Sequence, residues 1–176
     1  MAIPLSPVAG AAPSRWQRWL WLSLGVIAAD QITKAAILAT LHEGGARVVT
    51  GFFSLILTFN TGAAFSFLAS ADGWQRWLFA AIAVGASILV VSLLRRGGSV
   101  LYCAGLALIL GGALGNLYDR LALGKVVDFL LFHYAGWAYP AFNVADSAIT
   151  IGAGLLIADS FRRRDGDSAE AAKGTG

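Results

Sequence analysis

The chain has 176 residues and a formal net charge of +3, and it combines 57% hydrophobic residues with only 13% charged residues. Charged residues make up about a quarter of an average globular chain, so this composition excludes an ordinary soluble domain. A membrane-spanning helix needs about 20 mostly apolar residues, and the chain has room for about four such helices. We therefore predict a single membrane domain, and the modest charge does not indicate nucleic-acid binding.

The amino-terminal part is predicted to be a tail followed by a first spanning helix. Residues 1–14 contain three of the four prolines and are expected to be flexible. The next segment, at about 16–41, has a basic flank and an apolar core, as a signal peptide would. It also carries Asp30 and Lys34, which share a helix face in the favourable acid-then-base order. We therefore interpret it as a retained span.

The pattern changes between the first and second predicted spans. The run VVTGFFSLILTFN at 48–60 is rich in β-branched and aromatic residues, which favours short extended strands. The small-residue turn NTGAAF at 60–65 follows it and interrupts any spanning helix. This region is predicted to be a folded, β-containing loop that lies at the membrane surface.

Three further spans are predicted at about 77–94, 100–118 and 141–161. The third is rich in small residues, which let another helix approach closely. The predicted fold class is an all-α integral membrane protein with four transmembrane helices and a small extracytoplasmic β-containing loop after the first helix. A single membrane domain is predicted at 15–162, and the polar segment 163–176 is expected to be a flexible tail.

The distribution of lysine and arginine predicts the orientation of these spans. Seven basic residues flank the helix ends on the same side as both termini, and four lie in the loops on the opposite side. Because basic residues are enriched on the cytoplasmic side, both termini are predicted to lie in the cytoplasm. Several polar side chains from four separate stretches are then expected near the outer face. They are Asp30, Lys34, Asn60, Asn116, Arg120, Asp128, Asn143 and Asp146.

Asp128 and Asp146 stand out because each lies in an apolar run. Two carboxyl groups that meet in a low-dielectric place share one proton, and one apparent pKa is raised. Such a pair suits peptide hydrolysis, in which the ionised member takes a proton from water and the protonated member polarises the carbonyl. The same pair could carry protons or cations in a small transporter, although the chain lacks the internal repeat common in that class. A purely structural subunit would leave both aspartates unexplained.

Other polar and sulfur-containing residues are given structural interpretations. Asp119 is expected to pair with the adjacent Arg120, and Asp159 with the arginines at 162–164. Cys103 is interpreted as a small buried residue. The two histidines lack the spacing of a metal site.

Five short blocks in order show which family the chain resembles. They are DQITK at 30–34, FNTGAAFS at 59–66, GALGNLYDR at 112–120, VVDF at 126–129 and FNVADS at 142–147. On these blocks the chain resembles bacterial lipoprotein signal peptidase (signal peptidase II), a family of integral-membrane aspartic endopeptidases. The resemblance extends from Asp30 to Asp159 and leaves both tails without a role.

The resemblance implies specific roles and partners. The family cleaves prolipoproteins on the amino side of a cysteine that carries diacylglycerol, needs no metal or organic cofactor, and is inhibited by globomycin. It implies a protein of the bacterial inner membrane that contacts lipid and prolipoprotein substrates. Nothing in the sequence requires an oligomer, so a monomer is expected. Asp128 and Asp146 fall on the catalytic pair. The supporting or substrate-contacting positions are Asp30, Lys34, Asn60, Gly62, Asn116, Arg120, Asn143 and Ala145.

The small residues of the third span acquire an expected role from this resemblance. Gly111, Gly112, Ala113 and Gly115 are expected to leave room for the signal helix or the acyl chains of the substrate. Bulky replacements at Gly112 would then slow cleavage without unfolding the protein.

Overall fold

A computed structural model of the chain describes residues 16–61 and 73–173, with side chains described as far as residue 162. Four helices are long and apolar enough to cross a membrane, as predicted. The predicted tail at 1–14 and the predicted site residue Gly62 lie outside the described residues. The helices are α1 (Gln17–Thr40), α2 (Trp74–Arg96), α3 (Val100–Leu123) and α4 (Val144–Lys173).

A four-stranded antiparallel sheet in the order β1-β2-β3-β4 accompanies the helices. Strands β1 (Ala46–Thr50) and β2 (Phe53–Asn60) confirm the β-containing loop predicted after the first helix. Strands β3 (Val126–Tyr134) and β4 (Trp137–Ala138) come from the connection between α3 and α4, where the sequence indicated only an apolar run around Asp128. The first four residues of β3 are all buried, so the alternation that identifies a half-exposed strand is missing.

Helix α3 is the central helix of the bundle and packs against α1, α2 and α4. One buried apolar cluster joins Val90 and Leu94 of α2 to Cys103, Leu106 and Leu110 of α3. Cys103 is a buried free cysteine, as predicted. The central position of α3 explains why it is the most buried of the four apolar helices.

Glycines bring the backbones of α3 and α4 into contact. A Cβ added to Gly105 would lie 2.8 Å from the carbonyl oxygen of Gly152, and one added to Gly152 would lie 2.6 Å from that of Gly105. A Cβ on Gly112 would meet the carbonyl oxygen of Ala145 and would lie 2.7 Å from Ile149 Cγ1. The predicted close approach of another helix is confirmed. The expectation that Gly112 leaves room for substrate is wrong, because α4 already fills that space.

The helix ends differ from the predicted spans at several points. Helix α3 continues past 118 to Leu123, because Asp119 remains in the helix as a buried, paired residue, and Gly124 with φ +78° ends it. Helix α2 begins at Trp74 rather than 77. Helix α4 begins at Val144 and continues to Lys173, into the segment that was expected to be a flexible tail.

The outward surface of the bundle is apolar. Trp21, Ile88, Val100, Ile151 and Phe161 are among the large hydrophobic side chains that are more than half exposed. An exposed apolar surface around four helices of membrane-spanning length is the surface that a lipid environment covers. The polar contacts that concern function lie inside the bundle, in the half next to the sheet.

Candidate active site

Asn143 and Asp146 begin α4 with a reciprocal pair of hydrogen bonds. The backbone N–H of Asp146 donates to Asn143 Oδ1 at 2.9 Å, and the backbone N–H of Asn143 donates to Asp146 Oδ2 at 3.3 Å. This arrangement is a capping box in which the third helical residue is an aspartate. The Asp146 carboxyl group is therefore held in the first turn of α4, where the free N–H groups of the helix attract negative charge.

Asp128 lies on β3 next to the start of α4. It pairs across the sheet with Thr58, and the register between β2 and β3 shifts between Leu55 and Thr58. An irregularity of this kind alters the direction of a strand and is common beside functional sites. Asn143 Nδ2 donates to Asp128 Oδ1 at 2.8 Å. Asn143 thus contacts both Asp128 and Asp146, so the structure brings together the two aspartates that the sequence singled out (hereafter the aspartate pair).

Asn116 on α3 connects Asp146 to the interior of the bundle. Its Nδ2 donates to Asp146 Oδ1 at 2.8 Å, and its Oδ1 accepts from Lys34 Nζ and from Asn143 Nδ2, each at 3.1 Å. Lysine can only donate, so the oxygen of Asn116 must face Lys34 and its amide nitrogen must face Asp146. The Asn116 side chain is therefore fixed in one orientation.

Lys34 lies between two buried carboxylates. Its Nζ is 2.7 Å from Asp30 Oδ2 and 2.9 Å from Asp119 Oδ2, and all three side chains are buried. We call Asp30, Lys34 and Asp119 the ion triad. The predicted pairing of Asp30 with Lys34 is confirmed. The backbone N–H of Ala145, another predicted site residue, donates to Asp30 Oδ1 at 2.9 Å.

The predicted pairing of Asp119 with Arg120 is wrong. Asp119 lies three residues after Asn116, on the same face of α3, and it is directed inward to Lys34. Arg120 is half-buried, and its Nη1 donates to the carbonyl oxygen of Asn116 at 3.2 Å. Its guanidinium lies over the Phe79 ring, 5.3 Å from the ring centre. A buried carboxylate needs a close positive partner, and Lys34 rather than Arg120 provides it.

The pKa of Asp128 is raised to about 7, mainly because burial disfavours the charged form and also because the Asp146 charge is close. Hydrogen bonds from Asn60 and Asn143 and the positive charge of Lys34 oppose this rise. Asn60 ends β2 and so reaches the aspartate pair from the sheet. Near neutral pH, the protonated and ionised forms of Asp128 are both well populated.

Sequence reasoning missed two contributors to this network. Asp119 had been assigned to Arg120, and Gln31 had no assigned role. Gln31 Nε2 donates to Asp119 Oδ1 at 3.0 Å and to Asp30 Oδ2 at 3.1 Å. The available signals were positional: Gln31 directly follows Asp30, and Asp119 follows Asn116 by one helical turn.

Asp159, a third predicted ion-pair residue, lies away from this network. It is buried near the start of α3 and accepts a hydrogen bond from Ser99 Oγ. Its pairing with the arginines at 162–164 stays a prediction, because side chains beyond 162 are not described.

Comparison with known proteins gives a consistent result. The family model described as "Signal peptidase (SPase) II" matches residues 22–162. A lipoprotein signal peptidase of Burkholderia ambifaria is 56% identical over 166 residues, which cover 93% of this chain and 97% of that protein. A lipoprotein signal peptidase of Ralstonia nicotianae is 60% identical over 146 residues, which cover 81% and 84% respectively.

A solved structure also resembles this fold. It is a bacterial membrane enzyme determined by the in meso method at 2.3 Å resolution, and it superposes with a TM-score of 0.74 at 30% sequence identity. The superposition covers 83% of this chain and 88% of the other. The similarity therefore includes the helical bundle and is not confined to short motifs.

Proposed function

Because the chain belongs to the signal peptidase II family, we propose that it hydrolyses its substrate by an aspartic mechanism that uses Asp128 and Asp146. It is a multi-pass bacterial membrane peptidase that removes signal peptides from prolipoproteins. The observation that carries the aspartic mechanism is the contact of one side chain, Asn143, with both aspartates. The alternative of an ion-coupled transporter is not supported, because the relatives at 55–60% identity are peptidases.

The two aspartates have different roles in the proposed reaction. Burial and the Asp146 charge raise the pKa of Asp128 to about 7, so protonated Asp128 is well populated near neutral pH, and we assign it the role of general acid. Asp146 is the ionised member and removes a proton from water as the water oxygen attacks the scissile carbonyl carbon. Asp128 gives its proton to the carbonyl oxygen. The tetrahedral intermediate then breaks its C–N bond: the leaving amine takes the proton held by Asp146, and one hydroxyl group of the intermediate returns its proton to Asp128 as the product carboxyl group forms. Both aspartates thus regain their starting protonation states.

The surrounding polar groups orient the pair and the peptide. Asn116 and Asn143 each donate one hydrogen bond to a different oxygen of the Asp146 carboxyl group, so each oxygen keeps a lone pair that can accept a proton from water. Arg120 is close enough to interact electrostatically with both aspartates. Its remaining N–H groups are suited to bind a substrate carbonyl. Asn60 approaches from the sheet and is proposed to contact the peptide backbone.

The proposed site lies near the outer face of the inner membrane, with both chain termini in the cytoplasm. Arg18 at the start of α1, Arg95 and Arg96 at the end of α2, and Arg162 in α4 support this orientation by the positive-inside rule. The aspartate pair lies at the opposite end of the spans, beside the sheet. A substrate anchored by diacylglycerol would present its scissile bond at that level.

Cleavage of a diacylglyceryl-modified prolipoprotein by the purified protein in lipid tests this proposal. The matched substrate has the same sequence and an unmodified cysteine. Mass spectrometry of the products should show a single cut on the amino side of the modified cysteine, and globomycin should block it. We expect Asp128→Asn and Asp146→Asn each to lower kcat by roughly 10²–10⁴-fold, the usual contribution of a general acid or base.

Asparagine keeps the size of the side chain and removes its ionisation, so each variant should fold. Circular dichroism and thermal unfolding provide that check. A folded variant that retains near-normal cleavage would exclude its aspartate from the mechanism. Equal cleavage of modified and unmodified substrates would exclude recognition of the diacylglyceryl group.

A further inference from the structure

Asp119 makes a contact with the strand that carries Asp128. The backbone N–H of Val127, the residue directly before Asp128, donates to Asp119 Oδ2 at 3.0 Å. The same oxygen is 2.9 Å from Lys34 Nζ. The other oxygen of Asp119 accepts from Gln31 Nε2. Asp119 is thus a fully buried carboxylate whose partners come from α1 and β3.

Asp30 makes the corresponding contact with the helix that carries Asp146. The backbone N–H of Ala145, the residue directly before Asp146, donates to Asp30 Oδ1 at 2.9 Å. Lys34 is 2.7 Å from the second oxygen of Asp30. Each carboxylate of the ion triad therefore accepts a hydrogen bond from the backbone N–H of the residue directly before Asp128 or Asp146. Lys34 joins the two carboxylates.

We propose that Asp119 is a positioning residue for the hydrolysis, and that the ion triad sets the distance between Asp128 and Asp146 by holding the peptide groups of Val127 and Ala145. The proposal rests on the proposed function, because it gives the aspartate pair the catalytic role. Asp119 does not touch the reacting atoms in this scheme. It acts through the backbone of β3.

The surroundings of Val127 support this role. Its carbonyl oxygen accepts from Asn143 Nδ2 at 3.2 Å, and its N–H donates to Asp119, so both of its peptide groups are bound by side chains from the helical part of the molecule. On its other edge β3 pairs with β2, where Val127 lies opposite Phe59. Asp128, the next residue, therefore takes its position from contacts on both edges of the strand.

The energetics of buried charge also favour a positioning role. Burying three charged side chains has a large desolvation cost, and apolar residues of similar volume commonly give equal or greater stability. Stability alone therefore does not account for an ion triad of side chains that are at most 2% exposed. Two carboxylates joined by one ammonium group instead impose fixed distances between α1, α3, β3 and α4.

The first test compares Asp119→Asn with Asp159→Asn in the cleavage assay. Asp159 is a matched control because it is also a buried, hydrogen-bonded aspartate, and it lies away from the aspartate pair. We expect Asp119→Asn to lower kcat by roughly 10–100-fold with KM within about threefold, since small displacements of reacting groups have effects of this size. Asp159→Asn should keep the wild-type kcat.

The pH profile of kcat distinguishes positioning from a general loss of folded protein. Among the described residues, the charged groups that interact with Asp128 are Lys34 on α1, Arg120 on α3 and Asp146 on α4, and Lys34 is itself paired with Asp30 and Asp119. Strand β2 contributes the uncharged Asn60. Removal of the Asp119 charge leaves Lys34 less neutralised, which favours ionised Asp128 and lowers its pKa below about 7. The alkaline limb of the profile should move to lower pH, whereas unfolding would reduce activity without moving the limb.

A second variant removes the hydrogen bond without altering any side chain. Replacement of Val127 by its α-hydroxy analogue converts the peptide N–H to an ester oxygen, so Asp119 and Lys34 keep their charges. We expect kcat to fall by roughly fivefold or more, with no shift of the alkaline limb. If Asp119→Asn does not fold, the Val127 ester tests the positioning role by itself.

The outcomes separate this proposal from the proposed function. If Asp128→Asn is inactive while folded Asp119→Asn and the Val127 ester both keep the wild-type kcat, the positioning role is wrong and the aspartic mechanism stands. If folded Asp128→Asn cleaves normally, the aspartic mechanism itself is wrong. Inactive Asp128→Asn, a slow Val127 ester and a normal Asp159→Asn together support the positioning role.

Discussion

Asn143 and Asp146 hold each other through two hydrogen bonds of opposite direction, from the N–H of Asp146 to Asn143 Oδ1 and from the N–H of Asn143 to Asp146 Oδ2. The carboxyl group proposed to activate water is therefore also part of the cap of α4. Its orientation is set by the first turn of a helix rather than by a flexible loop, which suits a group that must be held accurately.

Asn143→Ala should affect stability and activity together. Loss of the cap should lower the free energy of unfolding by about 0.5–2 kcal/mol. Activity should fall by more than the loss of folded protein explains, because Asp128 and Asp146 both lose a partner. Ser99→Ala is the matched control, since Ser99 caps α3 by accepting from the N–H of Tyr102 at 3.1 Å. It should be destabilised similarly and remain active; equal loss of activity in both variants would contradict the specific role of Asn143.

Lys34→Met should destabilise the protein strongly. The methionine leaves Asp30 and Asp119 buried without their shared ammonium group. Removal of one partner from a buried ion pair typically costs about 3–5 kcal/mol. Thermal unfolding in detergent near neutral pH measures the effect. Lys125→Met, at a half-buried lysine beside the Phe59 ring, should change the unfolding temperature far less, and similar losses in the two variants would argue against the ion triad as a buried unit.

Asp128→Asn should be more stable than the wild type at alkaline pH. In the folded protein the pKa of Asp128 is raised from 3.8 to about 7, so its protonated form favours folding. That contribution is full below about pH 4 and is lost as the pH rises through about 7. At pH 8 the free energy of unfolding of the variant should exceed that of the wild type by up to about 4 kcal/mol, because each unit of pKa shift corresponds to about 1.36 kcal/mol. Unfolding temperatures at pH 4, 6 and 8 test this, and a difference that does not change with pH would contradict it.

Gly112→Ala should reduce both stability and activity. The added Cβ would press on the carbonyl oxygen of Ala145 and on Ile149, and it would move the start of α4 together with Asp146. We expect a loss of about 1–3 kcal/mol from overpacking and roughly a tenfold lower kcat. Gly154→Ala on α4 is the control, because a Cβ there would have nothing within 4 Å. This control should keep full activity and gain up to about 1 kcal/mol in the free energy of unfolding. If Gly112→Ala keeps the wild-type stability and kcat, α4 can move to accommodate the added methyl group.

The parts of this structure that local spacing encodes could be predicted from the sequence. The four spans follow from long apolar segments, and the Asp30–Lys34 pair follows from their separation by one helical turn. Strand β3 could not be recognised by alternation, because its first residues are covered on both faces. Asp119 was assigned to its sequence neighbour Arg120, whereas burial on the inner face of α3 directs it to Lys34. The contacts of Gly112 depend on which helix lies against α3, and spacing along one helix cannot specify that.

The hydrogen bond between Asp30 and the N–H of Ala145 joins residues 115 positions apart in the chain. During synthesis from the amino terminus, Asp30 and Lys34 can pair as soon as the first helix forms, because they belong to the same helix. The aspartate pair, in contrast, cannot assemble until the last helix has joined the bundle. Contacts between such distant positions form late, since their loop-closure entropy must be overcome first. On the proposed aspartic mechanism, proteolytic activity therefore requires all four helices, and we expect partly inserted chains to be inactive toward neighbouring membrane proteins.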